Sequence, residues 1–131
     1  MKAYLAIKFH EDYKNRDLIE QISNSLEIAG FKSTVMVRDY EKWGKIQFTP
    51  VELMELTFKL IDESNLLILE FSEKGTGLGI EAGYAYAKNK PIIVVAQYSS
   101  EISLTLSGIA NEIYFYENPK ELSQIFKNLK I

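Results

Sequence analysis

Cysteine is absent from this 131-residue chain, and histidine occurs once, at His10. Disulfides and thiolate metal sites are therefore excluded, and so are His pairs, and the expectation is that no metal or cofactor is needed. Serine or cysteine triads are excluded in practice for the same reason. No apolar run reaches membrane length, and Met1-Lys2-Ala3-Tyr4 passes straight into a strand pattern without the features of a signal peptide. Together with the missing cysteines, this predicts a cytoplasmic protein without a membrane partner. Cationic excess is lacking too: Lys and Arg total 15 against 18 Asp and Glu, a net charge of −3. No nucleic acid polymer is expected as a partner, and an anionic ligand would need local cations. The length predicts a single domain over residues 1–131.

What is present alternates strand and helix patterns. Residues 3–9 read as a buried strand. Leu18, Ile22, Leu26 and Ala29 form a helical stripe within 16–29 that stops at Gly30. Residues 31–37 carry the β-branched Thr34, Val35 and Val37 and read as a second strand, and 38–48 have no period and read as a functional loop. Thr49-Pro50-Val51-Glu52 has the pattern of a capping box before a helix over about 50–63. Strands follow at 65–70, 92–96 and 112–116. Between them lie a helix ending near Asn89, a short helix or turn at 100–110, and a last helix over 118–129 capped by Asn118. This rhythm predicts an α/β three-layer sandwich with a five-stranded, mainly parallel sheet of flavodoxin-like or Rossmann-like type. Its ligand should lie beyond the carboxyl ends of the strands, where 8–16, 38–48, 71–77 and 97–103 converge.

The 50–63 helix has two apolar stripes, Leu53, Leu56, Leu60 and Val51, Met54, Phe58, Ile61. Together they span roughly 220° of the circumference, against the ~100° a one-sided surface helix needs. Burial on two sides follows, and a homodimer or higher homo-oligomer is the expectation; the competing reading covers the second side with the 38–48 loop.

The run Lys74-Gly75-Thr76-Gly77-Leu78-Gly79-Ile80-Glu81-Ala82-Gly83 lies between an apolar strand and a helix. It is not a P-loop, because no Gly-Lys-Ser/Thr ending follows, and it is not a dinucleotide fingerprint, which belongs after the first strand. Carboxylate chemistry remains. A carboxylate attacks an anomeric carbon well because the oxocarbenium-like centre attracts it, and Gly77 and Gly79 leave room for a sugar near the backbone. The bland reading of Glu81 is an acidic residue favoured by the helix dipole.

The stretch Gly77-Leu78-Gly79-Ile80-Glu81-Ala82-Gly83-Tyr84-Ala85, followed by Lys90-Pro91 and an apolar strand, resembles the nucleoside 2-deoxyribosyltransferase family. It is also similar to the related 2'-deoxynucleoside 5'-phosphate N-hydrolases. The resemblance runs from residue 3 to about 116. It implies that Glu81 is the nucleophile, that Tyr4 begins the substrate pocket, and that Lys8 and Phe9 lie where a base-contacting loop leaves the first strand. Gly75, Gly77 and Gly79 would bind the substrate, and Ser103 would reach a neighbouring subunit's site. The small-molecule partner it implies is a nucleoside or nucleotide. The activity it implies is cleavage of the N-glycosidic bond, with transfer of the deoxyribosyl group to another base or hydrolysis of the monophosphate.

Two departures stand out. The family's second-helix aspartate falls on Thr57, and its polar residue before the glycines falls on Gly75. Thr57 supports an alternative of another class, a catalytically weak nucleotide-sensing module. A third reading keeps the chemistry on NAD or another nicotinamide ribonucleotide. Lys8, Lys14 and Arg16 either hold a phosphate or are solvated surface. Trp43 either lids a base or covers the dimer-facing helix, and Arg38 and Asp39 either meet ligand hydroxyls or pair with each other. Glu70 is either a second acid or structural. His10 reads as a strand-end surface residue, and Tyr84 and Tyr86 as packing.

Overall fold

A strand such as Leu66-Leu67-Ile68-Leu69 is apolar on both faces and needs cover on both. The computed structural model, which describes all 131 residues, supplies it. Strands Lys2–Ile7 (β1), Lys32–Thr34 (β2), Leu66–Glu70 (β3), Ile92–Gln97 (β4) and Glu112–Tyr116 (β5) form one sheet in the order β2-β1-β3-β4-β5. Every pairing is parallel. The helices are Arg16–Ile28 (α1), Pro50–Asp62 (α2), Thr76–Ala87 (α3), Leu104–Ile109 (α4) and Leu122–Lys127 (α5).

The two-residue period of the strands splits the core in two. Leu5, Ile68, Val95 and Tyr116 pack with Ile19, Ile22 and Leu26 of α1 and Phe126 of α5. Tyr4, Leu67, Leu69 and Val94 pack with Leu60 and Ile61 of α2 and Leu78, Ala82 and Ala85 of α3. Each fully buried Leu or Ile contributes roughly 1.5–3 kcal/mol relative to exposure. The predicted three-layer sandwich is therefore observed, with a sheet that is wholly parallel. No helix is long and apolar enough to cross a membrane.

The capping box of α2 forms as its sequence predicts: Glu52 N donates to Thr49 Oγ1 at 3.2 Å, and Thr49 N donates to Glu52 Oε1 at 3.0 Å. Three boundaries differ from expectation. β1 ends at Ile7, two residues early. β2 is only three residues long, and Met36–Tyr40 form a π-helical turn where the strand pattern continues. The Asp39 carboxylate accepts the Val35 N–H at 2.9 Å, while Asp39 N donates to Val35 O at 2.8 Å. Val35 thus has both its backbone groups bonded to Asp39, and its apolar side chain stays buried without a strand. The last helix is split, with a 3₁₀ turn at Pro119–Glu121 capped by Asn118 preceding α5.

Candidate active site

In a parallel sheet of this order, β1 leads outward to β2 on one side while β3, β4 and β5 continue on the other. The connections therefore diverge beyond β1 and β3 and leave a crevice there. Two adjoining cavities occupy it, of about 320 and about 690 Å³. Lys8, Gly75, Thr76 and Leu78 line both and form the neck between them.

Glu81 stands in the second turn of α3, partly buried and facing the smaller cavity. Tyr4 comes from β1 and shares that face of the sheet, because Tyr4 and Ala6 alternate with Leu5 toward α2 and α3. Burial pushes the Glu81 carboxyl up to about 7, and a hydrogen bond from Tyr4 draws it partly back. Burial, with the charge and hydrogen bonding of Glu81, holds the Tyr4 hydroxyl well above its ordinary value. Thr57 lies beside it, 4% exposed, its Oγ1 donating to Leu53 O at 2.7 Å. Thr57 thus does point inward, as its place on the apolar arc of the helix suggests. A carboxylate that titrates near neutrality beside a buried hydroxyl is poised for nucleophilic or proton-transfer chemistry.

Lys8, Phe9, Gly75 and Gly77 also line the smaller cavity, whereas Gly79 and Ser103 line the larger, so Ser103 borders its own chain's crevice where a neighbouring subunit's site was expected. A Cβ on Gly75 would lie 3.2 Å from Lys8 Cδ, so glycine there lets the lysine stem pass close to the backbone. The loop carrying Lys8 is tied down by Asn15, whose Nδ2 donates to Lys8 O at 2.9 Å. The polar lining of the larger cavity includes Lys74, Thr76, Ser103 and Thr105, together with Gly75 at the start of α3. Ser103 caps α4, its Oγ accepting the Leu106 N–H at 3.2 Å.

Several candidates fall elsewhere. Glu70 alternates with Leu69 onto the opposite face of the sheet and lines neither cavity. It accepts Ser72 N and Ser72 Oγ, each at 2.7 Å, and the Tyr116 hydroxyl. Its role is structural. Arg38 pairs with Asp39 at 2.9 Å and with Glu20 at 3.1 Å, and it donates to Ser23 Oγ at 2.6 Å, so the pair braces the turn and not a ligand. Trp43 lids neither a base nor α2. It packs edge-on against Tyr13 with Arg16 stacked over its ring at 4.4 Å. Lys14 and Arg16 line neither of these two cavities. His10 does reach the cavity wall, where it meets Glu73 at 2.9 Å. Tyr84 stacks on Phe58 and donates to Asp62 at 2.9 Å, which is packing as expected.

Sequence reasoning missed Glu41, which lines the smaller cavity together with Met36 and Val37. The aperiodic 38–48 loop was the only signal for it.

Known proteins resemble this chain in sequence and in fold. A Thermofilum pendens protein assigned as 2'-deoxynucleoside 5'-phosphate N-hydrolase 1 is 29% identical over 119 residues, covering 86% of this chain and 80% of its own. The chain is thus similar in sequence to a protein assigned to deoxynucleotide N-glycosidic cleavage. No family model matches it. Among solved structures, the Clostridium botulinum CMP N-glycosidase BcmB superposes with a TM-score of 0.72 at 22% identity, over 98% of this chain and 100% of that one. The 2-deoxyribosyltransferase of Bacillus psychrosaccharolyticus superposes at 0.69 with 15% identity, over 100% and 93%. At those identities the two structures speak for the shared fold.

Proposed function

We propose that the protein is an enzyme that cleaves the N-glycosidic bond of 2'-deoxyribonucleoside 5'-monophosphates through a glycosyl ester on Glu81. The observation that carries this reading is the placement of Glu81 and Tyr4 in one of two cavities joined by a neck. The base enters the smaller, largely apolar cavity, the sugar sits at the Lys8–Gly75 neck, and the 5'-phosphate lies in the larger cavity near Lys74, Thr76 and Ser103. The anionic group is thereby matched to local cations in a chain whose net charge is negative.

In the first step a Glu81 oxygen bonds to C1', the C1'–N bond breaks with its electron pair going to the base nitrogen, and the base takes up a proton. Tyr4 orients the carboxylate. In the second step water attacks C1', frees Glu81 and loses a proton. Support for water as acceptor comes from the 29%-identical relative, an assigned N-hydrolase. Transfer to a second base is the other reading. It is favoured by the apolar wall of Phe9, Met36, Val37 and Met54, which keeps water out and accepts a base once the first has left.

A homodimer is part of the proposal. The outer faces of α2 and α3 leave Val51 67% and Ile80 46% exposed, an apolar surface that a second copy would cover.

Intact-protein mass spectrometry after incubation with 2'-fluoro-2'-deoxynucleosides and their 5'-monophosphates tests the chemistry, since fluorine slows breakdown of the glycosyl ester. A gain equal to the fluorinated sugar phosphate is expected in the wild type and absent in Glu81→Ala. A wild type that gains no mass and releases no base from natural substrates would return the protein to the sensing reading.

A further inference from the structure

Glu41 has no place in the mechanism above, yet it belongs to the same cavity as Glu81. Its backbone is fixed on both sides. Glu41 N donates to Met36 O at 3.0 Å, closing the π-helical turn, and Glu41 O accepts both Gly44 N and Ile46 N at 3.0 Å. The next residues, Lys42, Trp43 and Gly44, all have positive φ, at 50°, 56° and 91°. Two non-glycine residues in succession in the left-handed region store strain that persists only where the surroundings impose it. Here they reverse the chain directly after Glu41, so its position is held by the fold and not by chance.

The carboxylate itself is without a counter-charge, since none of the chain's three ion pairs involves it. It shares the lining of the cavity with the apolar Met36, Val37, Leu53 and Met54, and its charge is felt at the Tyr4 hydroxyl. Burial raises its pKa. Its oxygens are not sealed in the protein, and they accept no hydrogen bond from it, so they are open to a donor that enters the cavity. Within the cavity the other carboxylate, Glu81, is already engaged by Tyr4, and the cation Lys8 sits at the neck.

We propose that Glu41 reads the base: its carboxylate accepts a hydrogen bond from an exocyclic amino group, favouring cytosine or adenine over uracil or hypoxanthine. This rests on the nucleotide reading of the site. An ionised carboxylate only accepts, so an amino group satisfies it, whereas a carbonyl at the same place sets two acceptors against each other. Selection by a hydrogen bond that the wrong ligand cannot make is steep, because the unpaired group stays buried.

The test is calorimetric binding of dCMP, dUMP, dAMP and dIMP to Glu81→Ala, which blocks turnover, and to Glu81→Ala/Glu41→Gln. Base release by the wild type is measured alongside. The expected result is that each amino nucleotide binds about tenfold or more tightly than its oxo partner in the single variant, and that the ratio collapses in the double variant. Glu41→Ala in the same background should collapse it too, and thermal melting confirms that each variant is folded. No preference in the single variant, or a preference that survives both substitutions, overturns the proposal. Preference without base release from the wild type would instead sink the N-glycosidase reading and leave Glu41 as the selector of a nucleotide-binding site.

Discussion

Glu81 shows what a site residue costs its own fold. Its carboxyl binds a proton more tightly folded, at about 7, than at the ordinary 4.5. A raised carboxyl contributes stability that is fully present below the unfolded value and is lost as pH rises through the folded one. Glu81→Gln, which carries no charge at any pH, should therefore melt close to the wild type near pH 4 and above it at pH 8. The difference at pH 8 is at most about 3 kcal/mol by the size of the shift. Thermal melts across that range check it, and a difference independent of pH would show that Glu81 is not buried as described. The same titration ionises the nucleophile progressively through neutrality, so the kcat/KM of the wild type should rise through about pH 7. Glu70 makes the contrast. Also a glutamate and more deeply buried, it is supplied with three donors and links the ends of β3 and β5.

Among the elements, the π-helical turn and the reversal after it differ most from what a propensity reading would give. A Cβ on Gly44 would lie 2.1 Å from the Tyr13 hydroxyl, at a φ of +91° that side chains rarely adopt. Gly44→Ala must displace Tyr13 and strain the reversal that holds Glu41, at a cost of roughly 1–3 kcal/mol. Urea unfolding should register that loss. Because Tyr13 and Glu41 both line the cavity, KM should rise more than kcat falls. A variant with unchanged stability and unchanged KM would show that the turn is looser than its backbone hydrogen bonds indicate. The α3 helix works differently. Its small residues Ala82 and Ala85 bring it close onto the sheet, and this carries Glu81 to within reach of Tyr4 on the neighbouring strand.

For the molecule as a whole, the open question is what covers α2 and α3. Apolar stripes on α2 suggest two-sided burial, and within one chain Leu60 and Ile61 enter the core and Phe58 stacks on Tyr84, while Val51 stays exposed. If a second copy covers it, Ile80→Lys should shift the protein toward monomer in sedimentation at micromolar concentration while leaving the monomer folded. A wild type that is monomeric at every concentration would refute the homodimer.

Much of this molecule was legible from its sequence, and the reason is local. Thr49-Pro50-Val51-Glu52 carries its capping contacts within four residues, continuous apolar runs announce two-sided strands, and the glycine turn with Glu81 is a contiguous motif. What depends on neighbours near in sequence can be read from neighbours near in sequence. The tertiary structure alone decided the rest. Which face of the sheet a strand-end acid takes depends on register, and so Glu70 left the site that Glu81 entered. Arg38 and Trp43 were drawn to partners on α1, because ion pairing and ring packing act through space. Glu41 reached the cavity through a π-helical turn and a strained reversal that no periodicity encodes. Joining two cavities at Lys8 and Gly75 required β1 and β3 to be neighbours, a pairing across more than 60 residues that parallel hydrogen bonding fixes only in the folded sheet.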